Sequence, residues 1–151
     1  AGLEETGGVG FAGRRAVSML RVLFREAARA DADTLVRACL AQRGVEVFHN
    51  SQGVEGLCLL LIAKPGQDAL HAACDEVRRL LPGAQVKLRE NLAALLALCR
   101  TTREVPKLAA AMESAGVPVH HLVQTPPGAL FCVNDSQYET ALRAAYALAF
   151  G

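Results

Sequence analysis

Apolar and polar positions along this chain switch between helical spacing, near 3.6 residues, and strand spacing, near 2, and the switches mark out its elements. Residues 17–24 form an apolar run rich in Val and Leu, as in a buried strand. In the helix predicted next, Leu35, Val36, Cys39 and Leu40 share one face, Asp31 or Asp33 supplies the cap, and Gly44 the stop. Val45, Val47 and His49 then alternate on one side of a second strand, and a turn around Gln52 and Gly56 leads into a third strand over 57–63. Leu70, Ala73, Cys74, Val77, Leu80 and Leu81 fall at helical spacing up to the Pro82-Gly83 stop, and Val86 and Leu88 mark a fourth strand over 84–88.

The chain then repeats itself. Gly44-Val45-Glu46-Val47-Phe48-His49 returns as Gly116-Val117-Pro118-Val119-His120-His121, 72 positions later, and the same offset pairs Gln52 with Gln124 and Gly56 with Gly128. The second copy reads as a strand over 92–99, then a helix capped by Thr101 or Thr102 that runs through Leu108 and Met112 to Gly116. A hairpin over 117–133 and a closing helix capped by Asp135 or Ser136 complete it. It ends without a fourth strand of its own. The order strand, helix, strand, strand, helix, strand predicts an α+β fold: two ferredoxin-like βαββαβ units in tandem, over residues 15–90 and 91–151, after a leader or linker over 1–14. Helices cover one face of such a sheet. The other face, as apolar as it is here, calls for packing between units or dimerisation through sheets.

With 151 residues, 52% of them apolar and 21% charged, the chain can bury a real core. Sixteen basic against fifteen acidic side chains leave no clustered positive excess, so neither nucleic acid nor an anionic membrane is an expected partner. No apolar run is long enough to span a bilayer. Five cysteines without a close CxxC pair read as small hydrophobes of a reduced, cytoplasmic protein. The first residue is Ala rather than Met, which fits a piece of a longer chain.

Ala115-Gly116-Val117-Pro118-Val119-His120-His121-Leu122-Val123-Gln124-Thr125 resembles the aspartokinase pattern Ala-Gly-Ile/Val-Asn-Val-Asp-Met-Ile-Val-Gln-Asn, and Arg43 to Val47 is a shorter version of it. Over residues 15–150 the chain resembles paired ACT domains, as in the regulatory region of aspartokinases. The resemblance implies a non-catalytic module that binds an amino acid of the lysine or threonine type, forms a homodimer and controls an attached or separate kinase domain. Carried over by position, Gln124 and Thr125 are effector-facing, Asn50, Ser51 and Gln52 are their counterparts in the first unit, and Thr101, Thr102 and Arg103 lie in the cradling turn. The matching turns at 25–31 and 100–103 have neither the Pro-Gly nor the glycines usual there. A structural dimerisation module with degenerate, ligand-free sites is therefore the alternative.

No chemistry competes strongly with these readings. The Lys-Phe-Gly-Gly kinase motif is absent, and Gly8-Val9-Gly10-Phe11-Ala12-Gly13 satisfies GxGxxG without the strand and helix a dinucleotide site needs. His49, His71, His120 and His121 offer no third ligand for a metal, so neither metal nor cofactor is expected. An enzyme on the same frame lacks a convergent acid–base set.

Overall fold

The computed structural model describes residues 4–6, 9–24, 29–52, 56–99, 101, 103–125 and 128–150. Seven strands and four helices follow in the order β1 (Glu4–Thr6), β2 (Val9–Leu23), α1 (Arg29–Gln42), β3 (Val45–Gln52), β4 (Gly56–Ala63), α2 (Gln67–Leu80), β5 (Gln85–Leu98), α3 (Glu104–Ser114), β6 (His121–Thr125), β7 (Gly128–Asn134) and α4 (Tyr138–Phe150). A 3-10 turn, Asp135–Gln137, leads into α4. The chain divides into a continuous unit, Val17–Glu90, and a split unit made of Ala1–Ala16 and Asn91–Gly151. No helix is long and apolar enough to cross a membrane among the described residues.

The continuous unit has the strand order β3-β4-β2-β5, with β2–β4 and β3–β4 antiparallel. Taken in chain order these are the second, third, first and fourth strands of a βαββαβ motif, the ferredoxin-like arrangement. One sheet face meets the helices in a core of Leu20, Val22, Val36, Leu40, Leu57, Leu59, Leu61, Leu70 and Val77. The alternation of Leu57, Leu59 and Leu61 puts all three on that face, as period 2 requires. Between the helices, Arg43 Nη2 donates to Glu76 at 2.9 Å and the Cys39 thiol donates to the same carboxylate at 3.3 Å.

The split unit repeats this order as β6-β7-β5-β2, with β1 added antiparallel to the start of β2. Its first strand is the later part of β5, and its fourth is the beginning of β2. The stretch 1–14 expected as leader or linker therefore contains strand, and it supplies what residues 91–151 lack. Phe11, on that strand, is 2% exposed in a core with Leu95, Val105, Leu108, Met112, Phe131 and Tyr138, and its ring meets Tyr146 at 5.0 Å.

Two strands pass from one unit into the other. The expected strands at 84–88 and 92–99 are one, β5, just as residues 9–23 make one β2. The non-glycine residues with positive φ among those described are Ala16 (φ 57) and Asn91 (φ 58), the last residue of the first segment of the split unit and the first residue of its second segment. Asn tolerates this left-handed region, whereas Ala gives up about 1 kcal/mol there.

The repeat spacing has a structural cause. Gly44 and Gly116, with φ of +72 and +81, follow α1 and α3 in the left-handed conformation that ends a helix. Gly56 and Gly128 each open the third strand of a unit. A Cβ there would stand 2.2 Å from the Val22 carbonyl oxygen and 1.8 Å from that of Ala97, respectively.

Other expectations change in detail. β3 carries a bulge: its register against β4 shifts between Val47 and His49, so His49 opposes Leu60 and leaves the side that Val47 shares with Leu61. α1 begins at Arg29, ahead of Asp31 and Asp33, and Asp33 instead accepts from Arg37 Nε at 2.8 Å. α3 has Arg103 at its cap position with no side-chain cap bond, and Thr101 contributes only its carbonyl, to the Glu104 N–H at 3.4 Å. Asp135, expected to cap the closing helix, turns to β2. Its carboxylate accepts from the Ala16 N–H at 3.1 Å and from Arg15 Nη2 at 3.1 Å, while its carbonyl accepts from Arg15 Nη2 at 3.1 Å.

This contact sets an acid limit on the split unit. The Arg15 guanidinium first, and the Ala16 N–H with it, hold the Asp135 carboxyl below its ordinary range. A carboxylate more acidic in the folded than in the unfolded chain stabilises fully above its unfolded pKa, about 4, and that contribution disappears as pH falls through the folded value. Melting temperature followed from pH 6 to pH 2.5 is therefore expected to fall more steeply in the wild type than in Asp135→Asn, with the two curves converging at the acid end.

Candidate functional site

The end of the split unit at which β5 gives way to α3 gathers the expected effector residues of that unit. Ala97 of β5 pairs with Ala129 of β7, and Ala129 pairs with Gln124 of β6, so the three form one row across the sheet. Directly paired residues share a face, and Ala97 and Ala129 are buried in the core under the helices. Gln124, at the open edge of this row, is exposed on the helix-bearing face. The chain leaves β5 at Leu98, passes Thr101 and Arg103, both exposed, and starts α3 at Glu104. Gln124 thus shares a face and an end of the sheet with the first turn of α3. The positive end of the helix dipole lies there.

Thr125 lies one position on, in the row of Gly128 and Leu98. Its side chain lies outside the described residues, as do Thr102 and Arg100. The strand therefore places Gln124 at the same end of the split unit as Thr101 and Arg103.

The counterparts in the continuous unit lie on both faces of β3. Asn50 pairs with Leu59 on the helix-bearing face and is exposed, whereas Ser51 pairs with Cys58 on the other. Gln52 occupies the row of Leu57 and Val22, equivalent to that of Gln124, and its side chain lies outside the described residues. Asn50 and Ser51 cannot both meet one small ligand. The turn ahead of α1, residues 25–28, also lies outside the described residues.

Sequence reasoning missed a polar chain at the opposite end of β7. The Asn134 side-chain carbonyl accepts from His120 Nε2 at 2.8 Å, its amide donates to Gln137 Oε1 at 2.9 Å, and Gln137 Nε2 donates to the Gly116 carbonyl at 3.0 Å. None of these four residues belongs to a chemical motif, and the contacts join positions up to 21 apart. The signal available in the sequence was the offset of Gly44 and Gly116, which marks a helix end whose carbonyls need donors. His49, by contrast, has a buried Nε2 with no hydrogen-bond partner among the described residues.

Burial pushes Cys39, Cys58 and Cys99 up, and Cys74 up to about 11, so the thiolate that reacts is scarce at neutral pH. None of the five cysteines forms a disulfide among the described residues.

These elements define two ferredoxin-like units, of which the first is inserted into the second. The fold is that of aspartate kinase regulatory regions. The ligand-free regulatory subunit of aspartate kinase from Thermus thermophilus superposes with a TM-score of 0.68 at 22% identity, over 93% of this chain and 97% of that one. Aspartate kinase from Clostridium acetobutylicum superposes with a TM-score of 0.81 at 15% identity over 93% of this chain, which spans 34% of the length of that enzyme. E. coli aspartokinase III in complex with lysine and aspartate, in its T-state, gives 0.67 at 16% identity, over 93% of this chain and 33% of that one. No protein-family model and no curated protein sequence matches the chain.

Proposed function

We propose that this chain is a non-catalytic regulatory module that binds a free amino acid of the lysine or threonine class at the β6 edge of the split unit and thereby controls an aspartokinase-like kinase. The observation that carries the reading is the row Ala97–Ala129–Gln124, which sets an exposed amide beside the first turn of a helix. A ligand carboxylate there meets the positive end of the α3 dipole and the Arg103 guanidinium, and its ammonium meets the side-chain carbonyl of Gln124 and the hydroxyl of Thr101. The likeness to regulatory subunits of the same length, and to an aspartokinase solved with lysine, supports the reading. Control follows from differential affinity: an amino acid that prefers one arrangement of α3 against β6 shifts the population toward it.

Calorimetric titration of the chain with L-lysine and L-threonine is the test. One of the two is expected to bind, with affinity falling at least about tenfold in Gln124→Ala, the effect of losing a hydrogen bond to a charged group. No heat from either amino acid overturns the reading.

The alternative, a ligand-free dimerisation module, rests on β6 as well. This strand is the last in its sheet, and Leu122 on it is 39% exposed, an open apolar edge of the kind that pairs with a second copy. On that reading Leu122→Asp yields monomers and the amino acids leave the melting temperature unmoved.

A further inference from the structure

Three elements of the split unit end on one short junction, Asn134 to Tyr138. α3 ends there through the Gly116 carbonyl, which accepts from Gln137 at 3.0 Å. β6 begins there through His120, whose Nε2 donates to Asn134, and Asn134 in turn donates to Gln137. The strand over residues 9–16 is seated there by two contacts. Asp135 holds the Ala16 N–H and the Arg15 guanidinium, and the Tyr138 ring lies so close above Gly13 that a Cβ would stand 1.7 Å from its hydroxyl oxygen. Arg15 also lies over the Tyr138 ring, 5.3 Å from its centroid.

The opposite ends of α3 and β6 carry Thr101, Arg103 and Gln124. The two elements that bear the proposed ligand groups are therefore tied, at their far ends, to the residues that hold the strand. That strand is also held in an unfavourable conformation. Ala16 has φ 57, which an alanine keeps only while its surroundings enforce it, and its N–H is bonded to Asp135. Releasing Asp135 removes the enforcement.

We propose that residues Asn134–Tyr138 are a relay that converts a shift of α3 or β6 into tighter or looser seating of strand 9–16. Its bistable element is the Ala16 backbone, left-handed when seated and extended when released. Asn134 and Gln137 are positioning residues in this device. The trigger rests on the amino-acid reading above; the wiring does not.

Hydrogen exchange on the full chain tests the two parts separately. In Gln137→Ala, and in the isosteric Asn134→Asp, which keeps an acceptor for His120 but cannot donate to Gln137, the amides of residues 9–16 are expected to exchange roughly tenfold faster. Those of β3 and β4 should be unchanged. Protection of 9–16 at the wild-type level in both variants overturns the wiring, even if the end of α3 loosens. In the second arm, saturating L-lysine or L-threonine should change protection at 9–16 in the wild type, and Gln137→Ala should bind the same amino acid without that change. Binding that leaves 9–16 unaltered in the wild type overturns the relay. Binding of neither amino acid removes the trigger together with the effector reading, and the first arm still decides the wiring.

Discussion

Gly128→Ala is expected to destabilise the split unit by about 3 kcal/mol, the upper range for forcing a methyl into packed structure. The new Cβ would stand 1.8 Å from the carbonyl oxygen of Ala97 and 2.8 Å from its carbon. Both belong to the backbone of β5, so no side-chain rotation relieves the clash. Relief requires β7 to move away from β5, which breaks the pairing that runs from Leu98–Gly128 to Leu92–Asn134. For a unit of this size the corresponding fall in melting temperature is about 12 to 24 °C. Urea unfolding monitored by the near-ultraviolet signal of Tyr138 and Tyr146, both in the split unit, would measure it. A loss below 1 kcal/mol would show that the strands part more easily than their register suggests. Gly56→Ala makes the same demand on the continuous unit, where the Cβ would lie 2.2 Å from the Val22 oxygen, and the expected loss is correspondingly smaller.

The second large effect is Phe11→Ala, with an expected loss of about 3 to 5 kcal/mol, typical of removing a buried aromatic ring. Phe11 is 2% exposed, packs in the core of the split unit and meets the Tyr146 ring tilted, at an interplanar angle of 56°. A leader or linker would give no change at this position, so thermal unfolding separates the two descriptions of residues 9–16 directly. Phe11→Leu, which retains most of the volume, should lose less than Phe11→Ala. Equal losses would point to the backbone rather than the ring.

The two glycine pairs show how much of the fold was legible. The spacing of Gly44 with Gly116 and Gly56 with Gly128 reflects requirements local to each unit: a left-handed helix end and a close strand approach. Such requirements leave a mark in sequence. The role of residues 9–16 leaves none. Gly10 and Gly13 made that stretch resemble a flexible leader, yet Gly13 is small because Tyr138, 125 positions later in the chain, lies upon it. A strand whose partner is that distant carries no periodic signal of where it belongs, and the second unit consequently read as one strand short.

The candidate site divides along the same line. Gln124 and the turn before α3 are proposed from the repeat and the family pattern, which are local. The face of each residue depends on register, and the alternation that separates Asn50 from Ser51 follows from period 2 alone. The bulge at Phe48 that turns His49 away from Val47 has no comparable signature. The junction at Asn134 to Tyr138 combines an ordinary Asn, Asp, Gln and Tyr, and their importance comes from what three other segments bring to them.

Insertion of one unit within the other fixes an order of events during synthesis. Arg15 and Asp135 are 120 residues apart, so the strand over residues 9–16 leaves the ribosome on the order of ten seconds before its seat exists. During that interval Phe11 has no core to enter, while everything the continuous unit needs has already been made. Nascent chains halted shortly before Asp135 should thus expose an apolar strand end, the kind of surface that chaperones retain, beside an already folded insert.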